Sequence, residues 1–308
     1  PNPNGSITII QIERDGDGNP TGNFVSNTYD FSDASLTAEA LEAKGVRIND
    51  TAPSVAADIE PEFISLEGNR AYISLQENNA VAIIEDITTF TGFTIDNIVT
   101  AGTVNHLEIG NGIDPSDKDG DTVNIETRDV IGLSMPDGMV AFSVGGVTYY
   151  ATANEGDTRV VDETRVEDVV LDPTAYPDAA ALQAEDNLGR LTISTTEGDT
   201  DGDGDYDQLY SFGTRSFTIF DADGNEVFNS GDLLARITSE AQGDAYPDGR
   251  SDAKGVEPEY VEFGEIDGVP YLFVGLERAT SVVVFDITDP ANPVFDTFID
   301  LPAVEEPE

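Results

Sequence analysis

The strongest chemical signal in this sequence is the acidic run at 199–207, which reads Asp-Thr-Asp-Gly-Asp-Gly-Asp-Tyr-Asp. Calcium takes about six to eight oxygen ligands, and a tight turn that alternates Asp with Gly can supply them. Five carboxylates within nine residues would repel one another without a cation. An EF-hand loop has Glu at its twelfth place, where this chain has Tyr210, so another loop must complete the shell. We predict a calcium site, rather than a solvated acidic turn, at Asp199, Asp201, Asp203, Asp205 and Asp207.

A second acidic loop spans 114–126 and contains Asp-Lys-Asp-Gly-Asp. Lys118 offsets part of its charge, so a turn without metal is the alternative interpretation. Further oxygen donors in this loop are Asp114, Asn124 and Glu126. The ligands predicted for this second calcium-type loop are Asp117, Asp119 and Asp121. The Asp-containing segments at 15–19 and 221–225 are read instead as plain hairpin turns.

A third group of charged residues recurs at the start and end of similar strands. In a β-propeller such equivalent positions converge on one face or on the central channel. One interpretation is a channel-face site in which carboxylates hold metal and Arg or Lys binds an anion such as phosphate. The favoured interpretation is a network of ion pairs between blades, because repetition suits architecture better than catalysis. The residues concerned are Glu60, Glu62, Glu77, Glu155, Asp157, Arg159, Glu257, Glu259, Glu277 and Arg278.

The elements that must position these side chains are mainly β-strands. Alternating or β-branched runs bounded by turn residues predict strands at 6–12, 70–76, 80–87, 139–144, 147–153, 190–195, 216–220, 270–276 and 281–287. Helical periodicity predicts a helix over 35–44, with Ser35 as its cap and Gly45 at its end. Weaker helical patterns lie at 178–186 and 232–241.

An internal repeat narrows the fold further. Residues 59–88 and 256–288 share one order: Glu-Pro-Glu, strand, turn, strand ending in an acid, strand, Asp-Ile-Thr. A looser copy spans 137–158. Each unit is about one antiparallel sheet, which cannot bury both faces alone, and radial stacking of such sheets gives a propeller. We predict an all-β chain in which residues 1–308 form a single β-propeller or propeller fragment of about four to five blades, with short helical insertions.

The composition excludes several classes of protein. The 61 acidic and 14 basic residues give a formal charge of −47, which repels nucleic acid and anionic lipid and attracts cations. There is no Cys, so neither disulfides nor thiolate metal sites exist. The one histidine, His106, cannot build a His-rich zinc site. No apolar run approaches the roughly 18 residues of a membrane-spanning helix.

At several motifs the chain resembles the choice-of-anchor I family of secreted bacterial β-propeller proteins. The matching stretches include Glu-Pro-Glu-Phe, Leu-Gln-Glu-Asn-Asn-Ala, Ala-Asn-Glu-Gly-Asp, the acidic run with the Gly before it, and Arg-Ser-Asp-Ala-Lys-Gly-Val-Glu-Pro-Glu; they begin at 60, 75, 153, 198 and 250. The resemblance also implies relatives among animal mesenchyme-specific cell-surface glycoproteins, and some bacterial members carry an alkaline-phosphatase label. Family members have earlier blades before this region, so the resemblance implies a chain that starts within a propeller.

Together these features predict an extracellular or cell-surface, secreted, calcium-binding propeller that acts as a surface, matrix or assembly protein. Its expected partners are divalent cations and another copy of itself or another fragment of the same precursor; nucleic acid and a membrane span are not expected. The alternative function is a metal-dependent phosphoesterase, alkaline phosphatase-like or phytase-like, with its site on the channel face. No Gly-x-Ser-x-Gly motif or phosphate-binding loop motif supports a nucleophilic or nucleotide-dependent enzyme.

Overall fold

The computed structural model describes residues 4–49, 52–88, 95, 97–120 and 123–301. Its strands are β1 Ser6–Arg14, β2 Pro20–Asp30, β3 Ile64–Glu67, β4 Arg70–Leu75, β5 Ala80–Ile84, β6 Ile98–Thr100, β7 Thr103–Asn105, β8 Ile131–Leu133, β9 Met139–Val144, β10 Val147–Asn154, β11 Glu163–Arg165, β12 Thr192–Ser194, β13 Tyr210–Phe212, β14 Ser216–Asp221, β15 Glu226–Asn229, β16 Pro258–Ile266, β17 Val269–Leu276, β18 Ser281–Asp286 and β19 Val294–Asp300. Its helices are α1 Ala38–Glu42, α2 Val55–Asp58, α3 Ala179–Leu182 and α4 Leu233–Gln242. Strand accounts for 39% and helix for 12%, so the all-β prediction is confirmed.

Three four-stranded antiparallel sheets form the body of the molecule. The first sheet has the order β3-β4-β5-β6 and the third sheet β16-β17-β18-β19, so both follow the chain directly. These are the two clear sequence repeats. The second sheet, in the order β9-β10-β14-β15, contains the looser repeat in β9 and β10. The described strands make five sheets and no closed barrel, and the propeller interpretation stays a prediction.

The second sheet packs between the other two because its strands are apolar on both faces. Side chains alternate between the faces of a strand, so Tyr150 and the neighbouring Ala151 point in opposite directions. Tyr150 meets Tyr72 of the first sheet, with ring centroids 4.8 Å apart. On the other face, Phe217 meets Phe285 of the third sheet, also at 4.8 Å. Two continuous apolar cores therefore hold the three sheets in one stack.

Chain segments outside this stack form another sheet, which we call the accessory sheet. Its strands run in the order β11-β12-β13-β8-β7, and β13 pairs in parallel with β8. The chain enters it after β6, returns to the second sheet through β9 and β10, and leaves again before β14. Both predicted calcium loops connect strands of the accessory sheet: 114–126 follows β7, and 199–207 joins β12 to β13.

All nine predicted strands are present with small differences in their ends. The predicted helix at 35–44 is shorter, because Ser35 hydrogen-bonds Asp33 at 2.7 Å and Thr37 caps the helix instead. The two weaker helical patterns correspond to α3 and α4. The fifth sheet is the hairpin of β1 and β2, which exposes several apolar side chains. None of the described helices has the length and hydropathy needed to cross a membrane.

Candidate functional site

The acidic loop at 199–207 folds around its first carboxylate. Asp199 Oδ1 accepts hydrogen bonds from the backbone N–H groups of Gly202 at 2.7 Å and Asp203 at 3.2 Å, and Oδ2 accepts one from Gly204 at 3.0 Å. Gly202 and Gly204 have φ values of 80° and 98°, a region that glycine adopts without strain. The alternation of Asp with Gly thus serves a tight turn that keeps the carboxylates on a short arc.

The carboxylates of this loop separate into two trios. Oxygens of Asp199, Asp201 and Asp203 lie within 4.8 Å of one another, and all three residues are exposed. Asp205 and Asp207 instead meet Asp172, again within 4.8 Å, and these three are half-buried. The structure therefore brings the five predicted ligands into two neighbouring groups, the second of which includes a residue outside the loop.

Asp172 reaches the loop through backbone pairing. Leu171 and Tyr206 form a parallel β-bridge, and the N–H of Asp172 donates to the carbonyl of Tyr206 at 3.1 Å. The sequence predicts that another loop must complete the ligand set, and the segment at 171–172 is one that the fold brings to the loop.

Crowding of these acids alters their pKa values. Burial, together with the Asp203 and Asp172 carboxylates, raises the pKa of Asp205 to about 6. The Asp203 carboxylate also raises the pKa of Asp201. The pKa of Asp207 is lowered because the side chain and backbone N–H of Thr200 both donate to it. A bound cation would relieve the repulsion among these carboxylates.

In the loop at 114–126, the predicted ligand Asp117 contacts two basic side chains. Asp117 forms ion pairs with Arg190 at 2.9 Å and Lys118 at 2.5 Å, and these cations hold its pKa near 2. Asp114 and Asp119 each have a buried Oδ1 with no hydrogen-bond partner among the described residues. Burial raises the pKa of Asp114 to about 6. The predicted ligand Asp121 lies outside the described residues. Asp117 is thus paired with cations of the protein, whereas Asp114 and Asp119 each keep a buried oxygen without a partner among the described residues.

The predicted channel-face residues meet around three charged centres. At the first, Arg159 contacts Glu60 at 2.9 Å and the buried Asp58 at 3.4 Å. Nearby, burial followed by the Glu60 carboxylate raises the pKa of Glu77 to about 7. The pKa of Glu62 is raised by burial and by the same neighbour, Glu60.

The second centre is Glu155 and the third is Glu257. Glu155 accepts a hydrogen bond from Gln76 at 2.8 Å and forms an ion pair with Lys254, which also reaches Asp157 at 3.1 Å. Glu257 is fully buried and is held by Arg250 at 2.6 Å and Arg278 at 3.0 Å. Arg278 also contacts the half-exposed Glu277 at 3.5 Å.

Two further acidic trios share Glu155. In one, oxygens of Asp137, Glu155 and Glu259 lie within 4.8 Å of one another. In the other, oxygens of Glu155, Glu257 and Glu277 also lie within 4.8 Å of one another. Burial, and then Glu155 and Glu259, raise the pKa of Asp137 to about 7. Charged residues at the ends of all three stacked sheets therefore converge on one region.

Comparison with known proteins assigns the chain to a family. Residues 1–290 match the model of the choice-of-anchor I domain. The chain belongs to the choice-of-anchor I family. Gigasin-3a of Magallana gigas is 31% identical over 123 residues, an alignment that spans 34% of this chain and 42% of that protein. No solved structure gives a significant match.

Membership of the choice-of-anchor I family indicates an extracellular or cell-surface location. The similarity to Gigasin-3a agrees with the relation to mesenchyme-specific glycoproteins that the sequence motifs imply. The matched segment covers less than half the length of that relative, so the two proteins correspond over one part only.

Two acids of this choice-of-anchor I domain were missed by sequence reasoning. Asp137 carries a recognisable signal: Met-Pro-Asp at 135–137 occupies the place that Glu-Pro-Glu takes at 60–62 and 257–259. Alignment of the third repeat on its proline would have found it. Asp172 has no such signal, because only the folded chain brings it beside 205–207.

Proposed function

We propose that this protein is a secreted, calcium-binding surface, matrix or assembly protein whose three stacked sheets are consecutive blades of a propeller. The proposal of calcium binding rests on the two aspartate trios, one of Asp199, Asp201 and Asp203 and the other of Asp172, Asp205 and Asp207. Calcium binds oxygens at about 2.4 Å, so two ligands on opposite sides of one ion stand about 4.8 Å apart. Each trio fits within that span before any ligand moves.

The choice among divalent ions follows from the ligands. The trios offer exposed or half-buried carboxylates, and the loop adds backbone carbonyls. Calcium accepts irregular shells of about six to eight oxygens, whereas magnesium requires a near-ideal octahedron and gives up its water reluctantly. These loops therefore suit calcium better than magnesium.

The propeller part is supported by packing. Each of the three stacked sheets has four antiparallel strands, and the middle sheet is covered on both faces by its neighbours. The first strand of the middle sheet, β9, adjoins β3 on one side and β16 on the other, as the inner strands of successive blades do.

A calcium titration monitored by isothermal calorimetry tests the calcium proposal. We expect each trio to bind one calcium ion. Asp201→Asn should remove only the ion of the exposed trio, and Asp172→Asn should remove only the ion of the half-buried trio. Asp223→Asn, in the hairpin turn between β14 and β15, is the matched control and leaves the stoichiometry unchanged. Equal calcium uptake by all three variants and the unaltered protein would refute the assignment.

The assembly part is supported by the hairpin of β1 and β2. Ile10, Ile12, Phe24 and Val25 are each at least half exposed there. Apolar side chains clustered on one hairpin favour association, and we propose that a second copy of the chain binds this hairpin. Sedimentation velocity should show a dimer that Phe24→Ser with Ile12→Ser converts to a monomer; a monomer at every concentration would contradict it.

A metal-dependent phosphoesterase is the second candidate, and the trio of Asp137, Glu155 and Glu259 favours it. Asp137 is only 7% exposed and has no hydrogen-bond partner for its carboxylate among the described residues. A metal held there would lie beside Lys254, which could bind a phosphoryl oxygen. Metal-dependent hydrolysis of p-nitrophenyl phosphate that Asp137→Asn abolishes would support this function, and absence of turnover with calcium, manganese or zinc would exclude these metals as its cofactors.

A further inference from the structure

A cleft of about 660 Å³ opens between the segments at 156–158, 163–168 and 250–254. Its charge balance is the reverse of that of the whole chain. Four of the 14 basic residues line it, against three of the 61 acidic residues. The basic residues are Arg165, Arg250, Lys254 and Arg278, and the acidic residues are Asp157, Glu163 and Asp168.

One buried carboxylate forms ion pairs with two of these arginines and orients them. Glu257 is fully buried and contacts Arg250 at 2.6 Å, Arg278 at 3.0 Å and Lys254 at 3.8 Å. One negative charge thus faces three positive charges. Lys254 is further compensated by Glu155 and Asp157, and Arg278 by Glu277 at 3.5 Å. Arg250 and Arg278 extend to the cleft with 39% and 44% of their side chains exposed.

Arg165 is oriented in the same way by Asp252. The two side chains are 2.8 Å apart, and Asp252 is buried and shared with Arg190 at 3.1 Å. Two cations again share one buried carboxylate. Arg165 is 32% exposed, so its remaining N–H groups are accessible from the cleft.

Donors remain for a ligand. Within the described part of the chain, no acceptor is found for Nη1 of Arg250 or Nη2 of Arg278. The hydroxyl of Thr158, which also lines the cleft, is buried without a hydrogen-bond partner among the described residues. Guanidinium groups that are fixed by carboxylates and still have N–H groups free are suited to tetrahedral oxyanions, because they can donate two parallel hydrogen bonds.

We propose that this cleft binds a phosphate group, either as the free ion or on a phosphorylated molecule. The net charge of the protein does not prevent this. At physiological ionic strength, charges more than about 8 Å away are largely screened, so binding depends on the groups that line the cleft, where the N–H groups of Arg250 and Arg278 that have no acceptor among the described residues can donate to an anion. The cleft shares Lys254 with the phosphoesterase candidate, but phosphate binding needs neither a metal nor turnover, so its test is distinct from a test of hydrolysis.

Calorimetric titration with inorganic phosphate tests the proposal on protein loaded with calcium and freed of excess ion by gel filtration. We expect saturable binding of one phosphate per chain. Arg278→Gln and Arg165→Gln should each weaken it by about tenfold, the usual effect of losing one charge-assisted hydrogen bond. Both variants leave the buried carboxylate with another cation, Arg250 for Glu257 and Arg190 for Asp252, and an unchanged melting temperature verifies the fold.

Arg14→Gln, in the exposed β1–β2 hairpin, is the matched control and should bind phosphate like the unaltered protein. A phosphoserine peptide, titrated in parallel, identifies the source: tighter binding than inorganic phosphate indicates a phosphorylated chain, and equal binding indicates the free ion. The proposal is overturned if phosphate does not bind, or if the two cleft variants bind it as well as the control does.

Discussion

Gln76 donates a hydrogen bond of 2.8 Å from Nε2 to Glu155 Oε2, and this contact joins the end of β4 in the first sheet to the end of β10 in the second. Both residues are about 5% exposed. The other oxygen of Glu155 is paired with Lys254, in the segment that leads into the third sheet. One carboxylate therefore connects all three stacked sheets.

This connection predicts a large structural effect of Glu155→Gln. The substitution leaves the mostly buried Lys254 without its shortest ion pair, and breaking a buried pair costs about 3–5 kcal/mol. Asp157 and Glu257 still contact Lys254, so we expect a loss of about 3 kcal/mol in the free energy of unfolding, measured by urea denaturation. Glu277→Gln is the control, because Glu277 is 44% exposed and its pair with Arg278 is worth at most about 1 kcal/mol. Equal losses in the two variants would argue against Glu155 as a structural centre.

Removal of calcium should destabilise the protein. An ion at about 100 times its dissociation constant adds about 2.7 kcal/mol to the free energy of unfolding, which corresponds to about 5 °C in melting temperature for a domain of this size. We expect excess chelator to lower the melting temperature by at least about that amount, and added calcium to restore it better than magnesium. An identical melting temperature with and without chelator would mean that the Asp-Gly loops are turns and not metal sites.

The sequence predicts strands that have a local pattern, but it does not predict strands that form only by pairing with residues distant in the chain. The strands at 139–144 and 147–153 have local alternation and turn signals, and both are found in place. The short strands β11 and β13 have no such pattern. They form because residues distant in the chain, such as Tyr210 and Ile131, pair in the accessory sheet.

The same distinction holds for the candidate sites. The acids at 199–207 are adjacent in sequence, so their clustering was predictable. The partners of the candidate acids were not predictable. Arg190 pairs with Asp117, which is 73 residues away in the chain, and Asp172 lies beside Asp205 and Asp207. For the cleft, Arg278 and Asp157 were predicted from the sequence as channel-face residues, but Arg165 and Arg250, which come from separate connections, were not.

Stability should depend on pH through Glu77. Burial raises the pKa of this carboxyl from 4.5 to about 7, so the folded protein holds the proton more tightly than the unfolded chain. The stability contributed by this group is fully present below about pH 4.5, falls as the pH rises, and reaches its lower limit above about pH 7. Glu77→Gln removes this dependence and should be more stable than the unaltered protein at pH 8 by roughly 3 kcal/mol. Urea denaturation from pH 4 to pH 8 checks it; a difference that does not grow between these limits would contradict it.

The stacking of the second and third sheets predicts unequal effects for two phenylalanines. Phe217 is fully buried, and its ring lies 4.8 Å from Phe285 and 5.6 Å from Phe228. Phe217→Ala removes these contacts and leaves a cavity between the sheets, which costs about 3–5 kcal/mol in the free energy of unfolding. Phe24→Ala, at a ring that is 65% exposed on the β1–β2 hairpin, should change it by less than about 0.5 kcal/mol in the monomer. Urea denaturation at low protein concentration compares the two, and similar losses would show that the core between the second and third sheets does not stabilise the fold.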